Sequence, residues 1–352
     1  MMQATLSYVL ARRCVSVNFL NCDEDEMSKP KVFATHSLFD AARRILNEAC
    51  DVEYWAKPER PPREEVLQRV KDKDGLICLL TEKINEELLR AAPRLRIAAN
   101  VAVGFDNIDV AACTKRGVAA TNTPGVLDET TADFAWTLMM AVARRLSEGE
   151  ALARSGNWKN WDLDQLVGTD VWGKTLGIVG FGRIGRAVAR RASGFQMKVI
   201  YTDAVRAPEG VEKELKAEFR EMNALLAQSD FISVHVPLLP ETRGLFDAEK
   251  FARMKPTAFL INTSRGPVVN EGALVAALEA KQIAGAGLDV YENEPSIHPG
   301  LKRANVVLAP HIASASLETR TKMACIAAEN VVALFAGKRP PNILNPEVLK
   351  AT

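Results

Sequence analysis

Two doubly wound parallel-sheet α/β domains, one inserted into the other, are predicted by three features of this chain. Its 352 residues exceed what one ordinary hydrophobic core organises. Short apolar runs alternate with amphipathic ones along most of the length, the pattern of repeated β-α units. A glycine turn of the form G-x-G-x-x-G, at Gly180, Gly182 and Gly185, falls mid-chain, so the unit it opens interrupts another.

Taken in order, residues 1–26 read as an extension outside the fold. Arg12 and Arg13 interrupt a mildly apolar stretch that lacks the basic start of a signal sequence, and the acidic run Asp23-Glu-Asp-Glu26 follows. Strand-like runs at 32–34, 75–80, 95–99 and 118–121 alternate with helical ones at 41–50, 85–91 and 110–116, and Pro61, Pro62 and Pro93 punctuate the turns. Residues 129–145 form a long helical pattern, with Asp128 expected as its N-cap and Arg144 and Arg145 suiting its negative end. Six further strands are expected, starting at Thr175 and then at 199–202, 231–234, 258–262, 284–289 and 306–308. A last helix, 317–335, would return to the first domain. The expected division is therefore 27–125 with 317–352 as one discontinuous domain and 126–316 as the other, with ligands in the cleft at the strands' carboxyl ends.

The glycine turn follows a strand-like run, precedes a helical one at 187–192, and has an acid, Asp203, about twenty residues on. That is a dinucleotide-binding fingerprint. The first glycine permits the tight turn, the second lets N–H groups approach a diphosphate, and the third lets the helix lie close on the strand. Asp203 would accept hydrogen bonds from the ribose hydroxyls and repel a 2′-phosphate, which favours NAD(H); Arg206 lies near enough to leave NADP(H) open.

A net charge of +1 supplies no field for nucleic acid or an anionic membrane surface, and no apolar stretch reaches spanning length. Neither nucleic acid nor membrane is expected as a partner. The cysteines at 14, 22, 50, 78, 113 and 325 show no C-x-x-C pair and no histidines at ligand spacing, so no metal is expected. Reduced thiols in the cytoplasm fit best, with Cys78 in a core.

The motifs Val103-Gly-Phe-Asp-Asn-Ile-Asp109, Asn122-Thr-Pro-Gly-Val-Leu-Asp-Glu-Thr-Thr-Ala-Asp133, Asn262-Thr-Ser-Arg-Gly-Pro267, Gly287-Leu-Asp-Val-Tyr-Glu-Asn-Glu-Pro295 and Pro310-His-Ile-Ala313 surround the glycine turn in a fixed order. With them the chain resembles the D-isomer-specific 2-hydroxyacid dehydrogenase family from about residue 32 to 346, and within it the glyoxylate and hydroxypyruvate reductases. The resemblance implies a Rossmann cofactor domain inserted into a flavodoxin-like substrate domain. It implies cofactor contacts along Gly180, Phe181, Gly182, Arg183, Ile184 and Gly185 at the diphosphate and Thr202, Asp203 and Ala204 at the adenosine. Thr263, Ser264 and Arg265 would lie by the nicotinamide ribose, and His311, Ile312 and Ala313 by the nicotinamide, with Asp289 holding the carboxamide.

Reducing a 2-oxo acid requires a hydride at the carbonyl carbon, a proton at the oxygen, and cationic or N–H groups for carbonyl and carboxylate. His311 is the candidate acid, because imidazole alone among side chains titrates near neutrality unperturbed. Glu294 would orient it, with Glu292 as the competing partner. Arg265 offers a planar fork for the carbonyl oxygen and carboxylate, and the N–H groups of Val103 and Gly104 would bind the other carboxylate oxygen. His235 is expected to serve packing, and His36 and His298 to lie in loops. Leu79 and Leu80, ending a strand, imply a small substrate side chain. Trp158 and Trp161 suggest interface or domain-junction packing over substrate contact, and the apolar 129–145 helix suggests burial in a homodimer.

The expected reaction is reversible NADH-dependent reduction of glyoxylate or hydroxypyruvate to the D-2-hydroxy acid. Phosphoglycerate dehydrogenase is the nearby rival, though no regulatory domain follows the last helix; formate dehydrogenases are disfavoured because they pair the histidine with Gln. A nucleotide-sensing corepressor-like binding protein is the alternative of a different class.

Overall fold

The computed structural model describes residues 28–303 and 305–350; the expected extension at 1–26 lies outside the described residues. The first sheet contains β1 (Lys31–Ala34), β2 (Asp51–Tyr54), β3 (Gly75–Cys78), β4 (Ile97–Asn100) and β5 (Ala119–Thr121), all parallel, in the order β2-β1-β3-β4-β5. That is the flavodoxin-like order. The connecting helices are α1 (Asp40–Ala49), α2 (Arg63–Arg69), α3 (Glu86–Ala91) and α4 (Val110–Lys115); Asn85 and Asp109 cap the last two with side-chain acceptors.

The second sheet has β6 (Thr175–Val179), β7 (Lys198–Thr202), β8 (Ala217–Phe219), β9 (Phe231–Val234), β10 (Phe259–Asn262), β11 (Gly285–Leu288) and β12 (Val306–Leu308). All are parallel, in the order β12-β11-β10-β9-β6-β7-β8. Chain order reverses between β6 and β9, the position at which doubly wound sheets bind dinucleotides. The helices after α4 are α5 (Asp128–Ala143), α6 (Leu146–Ser155), α7 (Arg183–Ala192), α8 (Glu209–Leu215), α9 (Met222–Gln228), α10 (Ala248–Arg253) and α11 (Glu271–Glu279), and helices cover both faces of the sheet, as the residues on each strand require. In β3, Leu76 and Cys78 enter one core and Ile77 the other; in β10, Phe259 and Ile261 face one side and Leu260 the opposite. Strands buried on both faces read as unbroken apolar runs, which is why their positions could be read in the sequence.

Two strands escaped that reading, and both are at sheet edges. β2 (Asp-Val-Glu-Tyr) is only half-buried, and β8 has three residues with one buried. An edge strand needs no continuous apolar run, so its pattern is weak. The second sheet therefore holds seven strands where the sequence indicated six.

The long helix α5 (Asp128–Ala143) corrects two expectations. Its N-cap position is Leu127, with no side-chain cap bond, and Asp128 lies inside the first turn. Arg144 and Arg145 follow its end, where Arg145 adopts a left-handed backbone at φ 52° and pairs with Glu148. Its all-round apolar surface is met within its own chain. Trp136 stacks on Phe195 at 4.6 Å and donates Nε1–H to the Val188 carbonyl, while Leu138 packs against Gly287 of β11. A partner subunit is not needed to bury this helix.

After β12, α12 (Leu317–Phe335) crosses back to pack on α1, and the hydroxyls of Thr130 and Thr319 meet at 2.6 Å where α5 and α12 begin. The chain then runs along β5, where Leu344 N–H donates to the Ala120 carbonyl and the Asn345 amide donates to Val118. No helix among the described residues is long and apolar enough to cross a membrane.

Candidate active site

The carboxyl ends of the two sheets face a common cavity of about 1050 Å³. Its walls come from the loops after β3 (Leu79, Leu80) and β4 (Val103 to Asp106) on one side. Opposite lie His235 after β9, Thr263 to Arg265 after β10, and Pro310 and His311 after β12.

Register brings the histidine here. Leu288 pairs with Leu308, so Asp289 lies beside the chain leaving β12, and the His311 N–H donates to the Asp289 carbonyl at 2.8 Å. The buried Asp289 carboxylate then accepts the N–H groups of Ile312 and Ala313, each at 2.8 Å. Burial pushes its pKa up, with those two N–H donors pulling against it. Both oxygens thus shape the His311 turn; the carboxamide contact expected of Asp289 would have to be shared with these bonds. His311 itself has φ 56°, a left-handed conformation that this ring of bonds enforces and no local sequence rule foretells.

His311 Nδ1 donates to Glu294 Oε2 at 2.8 Å, and Glu294 Oε1 accepts the Tyr291 N–H at 3.0 Å. Burial pushes the Glu294 carboxyl up, but His311, the Tyr291 N–H and the Arg265 charge outweigh it and hold the pKa below the usual carboxylate value. The competing Glu292 is exposed, and its N–H is held by Glu271 Oε1 at 2.8 Å. With Nδ1 engaged, Nε2 is the ring nitrogen left for a ligand.

Arg265 donates Nε–H to Asp106 Oδ1 at 2.9 Å and Nη1–H to the Ser264 carbonyl at 2.9 Å. Its guanidinium lies on Gly104: a Cβ there would stand 1.5 Å from Nη2. The loop beneath is fixed from behind. The buried amides of Asn100 and Asn122 donate to the carbonyls of Gly104 and Val103 at 3.0 and 2.7 Å. The N–H groups of Val103 and Gly104 find no acceptor among the described residues. Two free N–H groups beside a guanidinium can bind a carboxylate.

The three glycines take distinct places at the start of α7 (Arg183–Ala192). Gly180 has φ +95° and lies against the His235 backbone, where a Cβ on it would stand 2.7 Å from the His235 carbonyl carbon; a Cβ on Gly185 would stand 2.1 Å from the Gly180 carbonyl oxygen, and Gly182 faces open space. This backbone leaves room for an anionic group at the N-terminus of a ten-residue helix that has no side-chain cap. Asp203 Oδ2, past the end of β7, accepts the Phe181 N–H at 2.6 Å, with Thr202 and Ala204 on either side. Phe181 is buried, stacked on Tyr201 at 4.0 Å, and both its backbone groups are engaged, the N–H by Asp203 and the carbonyl by Arg186 Nε at 2.9 Å, so it shapes the turn from beneath and the expected diphosphate contact falls to its neighbours. Ile184 lines the cavity, and Arg183 Nη1 lies near Gly125. Arg206 is occupied: Nε and Nη2 both donate to Glu212 at 2.9 Å.

Two buried polar atoms on the cavity wall, His235 Nδ1 and Thr263 Oγ1, have no hydrogen-bond partner among the described residues. Buried polar groups are almost always satisfied, so these fit a bound nucleotide. His235 Nε2 lies 2.8 Å from Ser233 Oγ, and burial lowers the ring pKa to about 3. It is neutral, as expected of a residue without a proton-transfer role, but its free Nδ1 gives it more than packing to do. Ser264 binds Asn262 Oδ1 through both N–H and Oγ and so braces the Arg265 turn.

Leu79 and Leu80 line the cavity beyond the end of β3. His36 lies in a loop and also reaches the wall, whereas His298 caps a short 3-10 turn at Pro299–Leu301. Trp158 and Trp161 are 59% and 75% exposed and stand outside the cavity. The sequence reading assigned no role to Asp106, Asn100 or the His235 Nδ1 atom. Asp106 falls inside the Val103–Asp109 motif, but only the fold shows which arginine it meets.

A family model described as D-isomer specific 2-hydroxyacid dehydrogenase, NAD binding domain, matches residues 136–313. A glyoxylate reductase from Korarchaeum cryptofilum is 52% identical over 325 residues, covering 92% of this chain and 98% of that protein. Among solved structures, a Thermus thermophilus protein superposes with a TM-score of 0.84 at 42% identity over 89% of this chain and 99% of its own. An NADPH-dependent glyoxylate/hydroxypyruvate reductase from Sinorhizobium meliloti, in complex with NADP and malonate, gives 0.80 at 32% identity, covering 91% and 98%.

Proposed function

The chain belongs to the D-isomer specific 2-hydroxyacid dehydrogenase family, and on that premise we propose that it reduces glyoxylate or hydroxypyruvate to the D-2-hydroxy acid with NADH, reversibly. The observation that carries this reading is the His311–Glu294 pair, at 2.8 Å, opening on the same cavity as Arg265 and the free N–H groups of Val103 and Gly104.

A reduced nicotinamide, when bound in the cleft, would supply the hydride. Every other requirement is met by side chains and backbone of this protein. Arg265 Nη2, with the Nη1 N–H that does not meet the Ser264 carbonyl, would hold the carbonyl oxygen and one carboxylate oxygen, and the N–H groups of Val103 and Gly104 would take the other. This fixes which face of the carbonyl carbon is presented. His311 Nε2 donates its proton as negative charge develops on the carbonyl oxygen, and takes it back in the oxidative direction. Glu294 accepts from Nδ1 and keeps the ring oriented.

A preference for NADH over NADPH is supported by Asp203, past the end of β7 where the adenosine ribose would lie, and by Arg206, which is tied to Glu212. The small cleft-facing side chain expected of the substrate is supported by Leu79 and Leu80 in the wall. A homodimer is supported by the exposed apolar arm carrying Trp158, Trp161, Leu163, Val167 and Trp172, now in place of the buried α5 helix. Buried, unpaired Cys50, Cys78 and Cys113 support a reducing compartment such as the cytoplasm.

The test is a steady-state panel of glyoxylate, hydroxypyruvate, pyruvate and phosphohydroxypyruvate with NADH and with NADPH. The two small acids with NADH should give the highest kcat/KM; a preference for phosphohydroxypyruvate or pyruvate would overturn the substrate assignment.

A further inference from the structure

Arg265 and Asp106 are 159 residues apart and hang from different sheets, Arg265 after β10 and Asp106 in the loop after β4, yet they form an ion pair at 2.9 Å across the cleft. The pairing atom matters. Asp106 takes Nε–H, and the Ser264 carbonyl takes Nη1–H. Those two bonds fix the plane and rotation of the guanidinium and leave Nη2, over Gly104, with no acceptor among the described residues. An arginine has several freely rotating bonds, and a fork that must bind two oxygens at once loses affinity when it is not held in place beforehand.

Asp106 is also an odd residue to find there. Its side chain is 42% exposed, so it does not serve a core, and it puts a negative charge two residues from the N–H groups that would receive an anionic substrate. Left unpaired it would repel that substrate; engaged with Arg265 Nε, it aims the opposing charge.

We propose that Asp106 is a positioning residue that orients Arg265 for the 2-oxo acid from across the cleft. This rests on the reading that Arg265 binds the substrate carboxylate and carbonyl.

The variants are Asp106→Leu, which removes the acceptor at similar volume, Asp106→Asn, which keeps an oxygen in place, and both in an Arg265→Ala background. Read-outs are kcat and KM for glyoxylate, the Kd of oxamate (an unreactive isostere of the substrate) in the presence of NADH, and the Kd of NADH. Asp106→Leu should lower kcat/KM and weaken oxamate by about 10- to 100-fold, the scale of one charge-assisted hydrogen bond, with NADH affinity within about 2-fold of wild type. Asp106→Asn should recover most of the loss. In the Arg265→Ala background Asp106→Leu should cause no further loss of kcat/KM, and removal of the unpaired carboxylate should raise it, because the pair acts as a unit.

The proposal is overturned if Asp106→Leu behaves as wild type, if its penalty is the same with and without Arg265, or if NADH affinity falls together with oxamate affinity. Should the leucine variant not fold, Asp106→Asn and Asp106→Ala make the same comparison. A wild type that neither reduces a 2-oxo acid nor binds oxamate overturns the proposed function, whereas an active wild type indifferent to Asp106 overturns this inference alone.

Discussion

Substituting Gly104 by alanine isolates the space above that residue from everything else it does. The variant keeps its backbone N–H, and the backbone at Gly104 is outside the left-handed region, so a Cβ meets no conformational penalty. What it meets is the guanidinium of Arg265, with Nη2 at 1.5 Å and Cζ at 2.7 Å. Ordinary contact lies near 3.5 Å, so the fork must move by roughly 2 Å. The far end of a flexible side chain can do that cheaply, and folding should be nearly untouched. Function should not be. A misplacement of about 1 Å in a reacting constellation costs on the order of 100-fold, about 2.7 kcal/mol of transition-state stabilisation. Gly104→Ala should therefore lower kcat/KM for glyoxylate by at least about 100-fold, while Tm stays within about 3 °C of wild type. The assay is NADH consumption at a fixed enzyme concentration, alongside thermal melting and NADH binding by fluorescence. A variant with kcat/KM within threefold of wild type would refute the placement of Arg265 on Gly104, and a parallel loss of NADH binding and Tm would show a general defect instead.

Three further outcomes are expected. Glu294→Gln removes a carboxylate that His311 holds in its charged form, so it should move both pH limbs down: reduction, which needs a protonated ring, fails at a lower pH, and oxidation, which needs a neutral one, begins at a lower pH. Unchanged pH-rate profiles in both directions would exclude the pairing. Asp203→Ala should narrow the preference for NADH over NADPH, measured as the ratio of kcat/KM values; a wild type that already prefers NADPH contradicts the role of Asp203. His235→Phe should weaken NADH binding by about 5-fold, the scale of one neutral hydrogen bond, without moving either pH limb, since the ring is neutral down to about pH 3. A shift in the limbs would instead make His235 a proton-transfer group.

The residues that speak for themselves in this sequence are those whose chemistry is local. Central strands such as Leu76-Ile-Cys78 and Phe259-Leu-Ile261 are buried on both faces and must be apolar throughout. Gly180 must be glycine because its backbone is left-handed, and Gly185 because the Gly180 carbonyl lies against it. Helix α12 was legible to its last residue because Ser316 caps it and Gly337 follows it. Edge strands β2 and β8 were silent, since half of each faces solvent and no pattern is enforced. The apolar α5 helix was legible as buried but not as buried by its own chain, because composition records that a surface is covered and not what covers it. The candidate site divides the same way. Arg265, Glu294 and His311 stood out by residue type and motif. That Glu294 and not Glu292 meets the ring, that Asp289 bonds the turn holding His311 at φ 56°, and that Asp106 reaches across 159 positions to Arg265 were decided by tertiary structure. Such contacts depend on strand register and on how two sheets face each other, and neither is written in any short stretch of chain.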